Sequence, residues 1–514
     1  MRIDHLPENA NKKLFEGESA SRFFLDRALI YDLADVAMES AKRAGASYAD
    51  IRIGETLSEY AQAKDARFEQ FHQNTVRGFG VRVLLNGCWG FYGGQILDLQ
   101  TLKEGVSAAL GNAKAMQNIQ RLPIVLETLP KHEAEWIMPM AQDPFAIDVN
   151  QKSDLLLSIC TAARDHGADF CSASLSIARE ERLFANSHGA RILQTRTRLH
   201  PRFKATAIDV LLGRHAVRES LTPARGAGFE YVRESGIIEE AKRAGEESRA
   251  KLCARPVKTG NYDLVIDPTN LWLTIHETIG HSTELDRILG WEANFAGTSF
   301  IKPDMLDNLR VGSDLMTIVA DRSQPGALST IGYDDDGADA EASAFNIVEK
   351  GVLRNFQMAL GQAHYIGLPR SNGCAYADSP IAFPIQRMPN ISLAPNKEQC
   401  RLSDLIGDID NGIYVVGAGS WSIDQQRDNF QFGGQLFYEI KNGQLGPLLR
   451  DCAYQGRTTN FWQALDGIGD VSTYHLDGTF TCGKAEPVQV APVSHGSPLA
   501  RFRNISVLNT GNDS

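Results

Sequence analysis

The sequence lacks the features that mark disulfide-stabilised, membrane-spanning and nucleic-acid-binding proteins. Its eight cysteines are scattered singly through 514 residues without a Cys-x-x-Cys pair, which excludes a dense disulfide framework and predicts reduced thiols. No apolar run reaches about 18 residues, and the first residues carry no apolar core of signal-peptide length. The net charge is −11 and no run of Lys or Arg stands out. These absences predict a cytoplasmic protein with no membrane contact and no nucleic-acid partner.

Motifs of several common enzyme classes are also missing. There is no Gly-x-Ser-x-Gly nucleophile turn and no phosphate-binding loop. Gly78-Phe-Gly80 precedes a strand pattern and opens no helix, so a dinucleotide-binding fingerprint is not supported. What remains is ordinary globular composition, with 43% hydrophobic and 22% charged residues. The chain is long enough for about two to four domains.

The N-terminal half carries helical and strand-like patterns after an irregular polar extension, predicted over residues 1–22. Helices are predicted over residues 24–43, 100–117, 149–166 and 236–252. Strands are predicted over residues 48–53, 60–67, 76–85, 89–92, 171–178, 182–185, 192–198 and 203–212. Asn86-Gly87 is a strong hairpin signal between two of these strands. The order helix, strands, helix appears twice, which fits either a diverged repeat or one shared sheet.

A different pattern begins at Pro256. Residues 262–266 predict a short buried strand, Asp267-Pro268 is a plausible helix start, and mostly strands follow residue 294. Strands that follow helices without regular alternation predict an α+β fold. We expect an N-terminal domain of helices and antiparallel strands over residues 23–255, with a connector at about 122–144. A strand-rich C-terminal domain is expected over residues 256–514.

Two imidazoles and a carboxylate lie in one short run at the start of this second region. His276, Glu277 and His281 offer two zinc ligands and a free carboxylate that could take a proton from an attacking water. The two His stand at i and i+5, which a regular α-helix would splay by about 140°. Binding one ion therefore predicts that the helix deforms or ends between Thr278 and Gly280. The alternative is an amphipathic helix that happens to carry two His.

A catalytic zinc needs a third protein ligand and an open position. Glu284, three residues after His281, could bind the ion directly or hold that histidine by a hydrogen bond. The distal candidates for the remaining ligand are His364, His475, Cys452 and Cys482. Cys482 is followed by the cation of Lys484, which favours a thiolate, although a buried structural cysteine is the alternative interpretation.

An acidic turn, Asp334-Asp335-Asp336-Gly337, raises the question of calcium. Counting back from Gly337 as the sixth loop residue places Gly332 at the first ligand position, so the EF-hand register fails. The sequence therefore predicts a solvated turn at this point.

Seven further segments carry recognisable motifs besides the His-Glu-x-x-x-His run. They are Ala44-Gly-Ala-Ser-Tyr-Ala-Asp-Ile-Arg-Ile53, Gly78-Phe-Gly-Val-Arg-Val83, Gly87-Cys-Trp-Gly-Phe91, Ser329-Thr-Ile-Gly-Tyr-Asp-Asp-Asp-Gly337, Arg387-Met-Pro-Asn390, Gly412-Ile-Tyr414 and Cys482-Gly-Lys484. In this order they resemble the TldD/PmbA metallopeptidase family, specifically its active TldD-type members. The resemblance spans about residues 28–508, and the joint occurrence is far more specific than the short motif.

The resemblance implies a zinc peptidase in which residues 256–514 form the metallopeptidase domain. It assigns His276, His281 and Cys482 as ligands of Zn²⁺ and Glu277 as the general base, and we expect Glu284 to orient a ligand. Unfolded or small peptides would be cleaved with little sequence preference. The chain would pair with a copy of itself or with a degenerate family member. It departs from the family where Glu486-Pro487 replaces the usual Gly-Gln step after Cys482-Gly-Lys484.

Two other functions compete with the peptidase hypothesis. In the first, the chain is a non-catalytic peptide-binding or assembly subunit whose zinc is structural, and a fourth protein ligand would favour it. In the second, the chain is an amidase that acts on a modified small peptide. Weak sequence preference would follow if a peptide paired through its main chain with an exposed strand edge.

Overall fold

The computed structural model describes residues 25–120, 122–128 and 130–511, and the predicted extension over residues 1–22 lies outside them. Helices and mostly antiparallel strands are mixed without regular alternation, which confirms the predicted α+β class. Among the described residues, no helix combines the length and the apolar character needed to cross a membrane.

The α-helices of this part of the chain vary from one turn to five turns in length. They are α1 (Arg27–Arg43), α2 (Leu99–Met116), α3 (Val149–Asp165), α4 (Glu230–Glu234), α5 (Ile237–Leu252), α6 (Pro268–Ile275), α7 (Leu285–Ile288), α8 (Leu402–Ile406) and α9 (Thr458–Gln463).

The strands belong to four sheets. They are β1 (Tyr48–Lys64), β2 (Arg67–Leu85), β3 (Cys88–Gly94), β4 (Glu133–Ile137), β5 (Phe170–Asn186), β6 (Arg191–Asp209), β7 (Arg214–Glu219), β8 (Arg255–Pro256), β9 (Gly260–Ile266), β10 (Ile318–Ala320), β11 (Phe345–Glu349), β12 (Val352–Leu353), β13 (Ala375–Tyr376), β14 (Ile385–Gln386), β15 (Ile391–Leu393), β16 (Asn411–Ile423), β17 (Asn429–Lys441), β18 (Gln444–Arg450), β19 (Cys452–Arg457), β20 (Leu465–Ile468), β21 (His475–Lys484), β22 (Gln489–Ser497) and β23 (Ala500–Asn509).

The N-terminal half forms one seven-stranded sheet in the order β3-β2-β1-β5-β6-β4, with β7 paired to β6. The two helix–strand units meet where β1 runs antiparallel to β5. The sequence allowed either a diverged repeat or one shared sheet, and the structure has the shared sheet. The predicted connector adds β4, which pairs in parallel with the edge of β6. Asn86 and Gly87 have positive φ of 52° and 76°, as the predicted hairpin turn between β2 and β3 requires.

Three pairs of predicted strands are in fact single long strands. β1 joins the predicted segments 48–53 and 60–67, β5 joins 171–178 and 182–185, and β6 joins 192–198 and 203–212. Charged residues such as Glu55 and Glu180 lie between the apolar segments and imitate breaks in the strand pattern. The ladders nevertheless continue through them, and both side chains are buried.

The two faces of this sheet differ in chemistry. Alternate residues such as Ile51, Val81 and Leu183 pack under the helices, in a core shared with α1 and α2. On the opposite face, Arg82 and Arg182 are buried against the C-terminal half of the chain. The charged face of the N-terminal sheet is therefore an internal surface rather than a solvated one.

The acidic turn that was predicted to be solvated is buried against this charged face. Arg82 Nη2 lies 2.6 Å from Asp336 Oδ1, and Arg182 Nη1 lies 2.6 Å from Asp335 Oδ2. Asp334 accepts hydrogen bonds from backbone amides instead, including that of Ala375. The prediction was wrong because a polar turn finds its partners here on another part of the chain.

The C-terminal half contains an eight-stranded sheet, β16-β9-β23-β19-β17-β18-β8 with β20 paired to β23, and a six-stranded sheet, β12-β11-β10-β15-β22-β21. Helix α6 follows β9 and packs on β21 and β22 of the second sheet. One apolar core includes residues of both sheets and of α6, among them Ile275, Ile279 and Trp462. This core fixes the helix that carries the His motif against the strand that carries Cys482.

Candidate metal centre

The His motif begins at the end of a short helix that then widens. Asp267 caps α6 by accepting a hydrogen bond from the Thr269 amide. Residues His276–Gly280 form a single π-turn, in which the His281 amide donates to the His276 carbonyl. The extra residue in this turn brings two His at i and i+5 onto one side of the chain. The predicted deformation of the helix is confirmed.

Hydroxyl side chains and one glycine explain why the sequence tolerates this turn. The hydroxyl groups of Thr278, Ser282 and Thr283 each donate to a carbonyl four residues earlier, at 2.6–2.7 Å. They satisfy acceptors at the point where the regular helical ladder is interrupted. Gly280 allows close packing here, because a Cβ atom would lie 2.7 Å from the sulfur of Met388 and would force that side chain to move.

The structure brings His276, His281 and Cys482 together, with the three potential ligand atoms within 4.8 Å of one another. Cys482 Sγ lies 3.7 Å from His281 Nε2. Two ligands of a tetrahedral zinc, at the usual Zn–S and Zn–N bond lengths, are about 3.6 Å apart. Two imidazoles and one thiolate form a donor set that zinc prefers, so both the chemistry and the spacing fit Zn²⁺.

A second histidine fixes the orientation of the His276 ring. His276 Nδ1 lies 2.7 Å from Nε2 of His495, and His495 Nδ1 lies 3.1 Å from the carbonyl oxygen of Ile391. The carbonyl can only accept, so His495 donates to it and in turn accepts from the Nδ1–H of His276. Burial lowers the pKa of both rings and keeps them neutral. This leaves the Nε2 lone pair of His276 free for a metal.

A carboxylate fixes the His281 ring in the same way. Glu284 Oε2 lies 2.9 Å from His281 Nδ1, which leaves Nε2 facing Cys482. Burial lowers the pKa of His281 to about 4, so the ring is neutral. Burial alone would raise the pKa of Glu284, but Lys484 and His281 hold it well below its usual range. Lys484 Nζ lies 3.3 Å from the other Glu284 oxygen, Oε1, which is buried and has no hydrogen-bond partner among the described residues.

The cation that favours the Cys482 thiolate is not the one expected from the sequence. Lys484 Nζ pairs with Asp286, at 2.8 Å, and lies 3.3 Å from Glu284 Oε1. Burial tends to raise the pKa of the Cys482 thiol, but Arg387 and His281 outweigh it, and the pKa falls below its ordinary value. Arg387 also donates to the Cys482 carbonyl, which ties this cation to β21.

Glu277 lies between the two His in sequence and is buried, with 4% of its surface exposed. Its Oε2 atom accepts from Nη1 of Arg427, which lies in the loop between β16 and β17. Arg427 Nη2 also donates to the carbonyl of Ala296, at 3.4 Å. Arg427, some 150 positions away in the sequence, thus fixes the carboxylate of Glu277. Glu277 directly follows His276, one of the three residues His276, His281 and Cys482 that form the metal-binding cluster.

The other distal candidates are not part of this cluster in the described part of the chain. His364 lies in a short 3-10 turn against Tyr365, with the ring centroids 4.0 Å apart. His475 begins β21, and burial lowers its pKa to about 3. Cys452 begins β19 in the apolar core, where burial raises its pKa to about 12.

Sequence reasoning missed His495, Arg387 and Arg427 as residues that surround the centre. Arg387 stood in one of the motif segments, but nothing in the sequence connects it to Cys482. His495 follows the alternating pattern of β22 and could have been noted as a polar residue on an apolar face. Arg427 lies in a hairpin loop, and its approach to Glu277 depends on tertiary structure alone.

Comparison with known proteins agrees with this geometry. Residues 49–116, 142–252 and 259–509 match the sequence patterns described as PmbA/TldA metallopeptidase domain 1, central domain and C-terminal domain. A metalloprotease of Methanothermobacter thermautotrophicus is 28% identical, over 90% of this chain and 96% of its own. A zinc metalloprotease TldD homolog of Saccharolobus solfataricus is 24% identical, over 91% of this chain and 98% of its own.

Among solved structures, TldE from Thermococcus kodakarensis matches with a TM-score of 0.71 at 15% identity, over 93% of this chain and 99% of that one. At that identity the match concerns the fold alone. The sequence patterns, by contrast, cover most of the chain in a single order, and the curated relatives align over nearly their full length. The chain belongs to the PmbA/TldD metallopeptidase family.

Proposed function

We propose that this protein is a zinc-dependent peptidase in which His276, His281 and Cys482 bind the metal and Glu277 is the general base. The observation that carries the proposal is the convergence of these three ligand atoms within 4.8 Å, with a buried carboxylate in the same turn. Zinc, when bound, would supply Lewis-acid activation of water and of the scissile carbonyl.

The residues around the metal-binding cluster transfer the proton and position the reacting groups. Glu277 accepts a proton from the attacking water and passes it to the leaving amine. His495 and Glu284 hold the two imidazoles in the tautomers that bind metal. Arg427 positions the carboxylate of Glu277 through one of its oxygens, Oε2.

We further propose that the substrate is an unfolded or small peptide that pairs with the outer edge of β21. This strand ends the six-stranded sheet, and it carries Cys482 next to the exposed residues Thr481 and Gly483. A register shift between Thr479 and Cys482 interrupts its pairing with β22, a feature common beside active sites. Main-chain pairing is the same for every residue, so low sequence preference would follow.

A second subunit, either a copy of this chain or a degenerate relative, is also proposed. The match in fold to TldE supports pairing within the family.

A cytoplasmic location is proposed as well, since all eight cysteines are free thiols. A peptide could reach the metal-binding cluster only after some rearrangement of the protein. His276, Glu277, His281 and Cys482 are each only 4–5% exposed.

The competing function, a non-catalytic subunit with a structural zinc, is less well supported. Structural zinc sites are closed by four protein ligands. In residues 25–120, 122–128 and 130–511, only three candidate ligands form the cluster. In Glu284, the remaining candidate, Oε2 is engaged by His281 and Arg287, and Oε1 lies 3.3 Å from Lys484 Nζ without a hydrogen bond.

The proposal is tested by hydrolysis of unstructured peptides with purified variants. Glu277→Ala should keep one zinc per chain and lose turnover, whereas His276→Ala should lose both. Glu398→Ala, at an exposed surface position, serves as a matched control and should behave as the wild type. Turnover that persists in Glu277→Ala would refute the assignment of the base.

A panel of small amides tests the third function in the same experiment. Chelator-sensitive cleavage of peptides with little turnover of the amides supports a peptidase. The reverse preference would favour an amidase acting on a modified peptide.

A further inference from the structure

Four buried arginines line one small cavity of about 10 Å³, room for about one water-sized occupant, beside the strand pair that carries Cys482. Arg196 and Arg198 come from β6 of the N-terminal sheet, and Arg322 and Arg387 come from the C-terminal half. Each is 2–7% exposed. The cavity therefore lies at the internal surface where the two halves of the chain meet.

Negative charge at this cavity does not balance the positive charge. Arg196 and Arg198 share a single carboxylate, that of Glu180. In the described part of the chain, neither Arg322 nor Arg387 has a carboxylate within 4 Å. Arg322 donates to the Arg387 carbonyl at 2.9 Å, while Arg387 donates to two backbone carbonyls. These four guanidinium groups thus have one carboxylate, that of Glu180, within 4 Å at this cavity.

The nearest other acidic groups are already engaged elsewhere. Asp335 pairs with Arg182 and accepts from the Ala377 amide. Asp334 accepts from the backbone amides of Asp336, Ala338 and Ala375. Asp334 and Asp335 act on Arg322 only from beyond ion-pair distance: their charges tend to raise its pKa, but burial outweighs them and lowers it.

Hydrogen-bond donors at the cavity are also unsatisfied. The Nε atoms of Arg198, Arg322 and Arg387 are buried and have no acceptor among the described residues. Buried N–H groups in native proteins almost always have a partner, so three of them on one cavity indicate an acceptor that is not part of the chain. A water molecule could accept a hydrogen bond, but it would leave the buried positive charge unpaired.

We propose that this cavity binds a small monovalent anion of the size of chloride. The anion would accept N–H bonds from the arginines and neutralise part of their charge. The remaining wall is formed by Ser329, Tyr376, Met388, Ala491 and Pro492, and the small volume of the cavity leaves little room for a larger oxyanion.

The anion would act on both the interface and the metal centre. It joins arginines of the N-terminal sheet to arginines of the C-terminal half. Arg387 donates to the Cys482 carbonyl, and Ala491 pairs with Cys482 across β21 and β22. Ordering Arg387 therefore supports the strand that holds the thiolate.

The first test compares the thermal unfolding of the full chain in potassium chloride and in potassium gluconate at constant ionic strength. Wild-type protein should show a saturable rise in Tm with chloride of about 1–3 °C. Arg322→Met should lose the dependence on chloride. Arg354→Met, which replaces an exposed arginine paired with Asp307, should keep it.

A second measurement does not depend on any variant that could fail to fold. Crystals of the wild-type protein grown with bromide should give an anomalous peak between Arg198, Arg322 and Arg387. An equal Tm in both salts, or a chloride effect that persists in Arg322→Met, would overturn the proposal. Density for water alone in the bromide crystals would do the same.

Discussion

Replacing His495 by Phe tests how this structure prepares His276 for the metal. His495 is fully buried, and its ring stacks on Trp272 with an angle of 7° between the ring planes. Phenylalanine keeps an aromatic ring in that place but removes the acceptor that lies 2.7 Å from His276 Nδ1. His276 then loses the partner that selects its tautomer and fixes the direction of Nε2.

We expect the loss of this partner to weaken zinc binding in His495→Phe. Loss of a hydrogen-bonding partner of a metal ligand usually weakens metal affinity by about 10–100-fold. This corresponds to about 1.4–2.7 kcal/mol of zinc-binding free energy. The Kd for zinc should rise by this factor in His495→Phe, measured by competition with a chromophoric chelator. Peptide hydrolysis at saturating zinc should recover in part.

The matched control is His475→Phe. His475 is largely buried and also lies on the six-stranded sheet, but it does not belong to the metal-binding cluster. Its Kd for zinc should equal that of the wild type. If His495→Phe binds zinc as tightly as wild type, within about twofold, the proposed hydrogen-bond chain does not prepare the ligand.

Three further predictions concern the surroundings of the site and the stability of the fold. Arg427→Ala should lower kcat about tenfold without loss of zinc, because Glu277 loses the donor that positions it, and Arg427→Lys should restore part of the rate in steady-state assays. Burial raises the pKa of Asp477 to about 7, so the folded state binds its proton more tightly than the unfolded state, and stability falls as the pH rises from about 4 to 7. As the pH rises from 4 to 8, the free energy of unfolding of Asp477→Asn should therefore gain up to about 2–4 kcal/mol relative to wild type. This gain should be visible as a Tm difference that grows with pH, and a constant difference would contradict it. Trp462→Phe removes the donor to Thr278 Oγ1, at 2.9 Å, and should destabilise the π-turn by about 1–3 kcal/mol in chemical denaturation.

The deformation of the His helix could be predicted because its cause is local. Ligands at i and i+5 cannot converge on a regular helix, and Gly280 marks a place where the chain approaches another segment closely. The hydroxyl groups of Thr278, Ser282 and Thr283 strengthen the same local signal. Sequence reasoning succeeds here since all the groups involved lie within a few residues.

The charged face of the N-terminal sheet could not be predicted in the same way. Alternation of apolar and charged residues along β1 and β6 is typical of a half-solvated strand. In this fold the charged residues are covered by the C-terminal half, which also buries Asp335 and Asp336. Ion pairs such as Arg82 with Asp336 join residues more than 250 positions apart, and no local pattern specifies them.

The candidate site shows the same difference between local signals and long-range contacts. The motif and the family resemblance indicated His276, Glu277, His281 and Cys482, and the structure brings the potential ligand atoms of His276, His281 and Cys482 within 4.8 Å of one another. The residues that orient them, above all His495, come from strands whose pairing depends on the whole fold. Their roles become visible only when the tertiary contacts are known.

X-ray absorption spectroscopy of the zinc-loaded protein measures the ligands of the metal directly. We expect one sulfur at about 2.3 Å, two imidazole nitrogens at about 2.0–2.1 Å and one further light atom that does not belong to the chain. Cys482→Ser should remove the sulfur shell, while Cys452→Ser should leave it unchanged. A shell without sulfur, or with a third imidazole or a second sulfur, would contradict an open site of His276, His281 and Cys482.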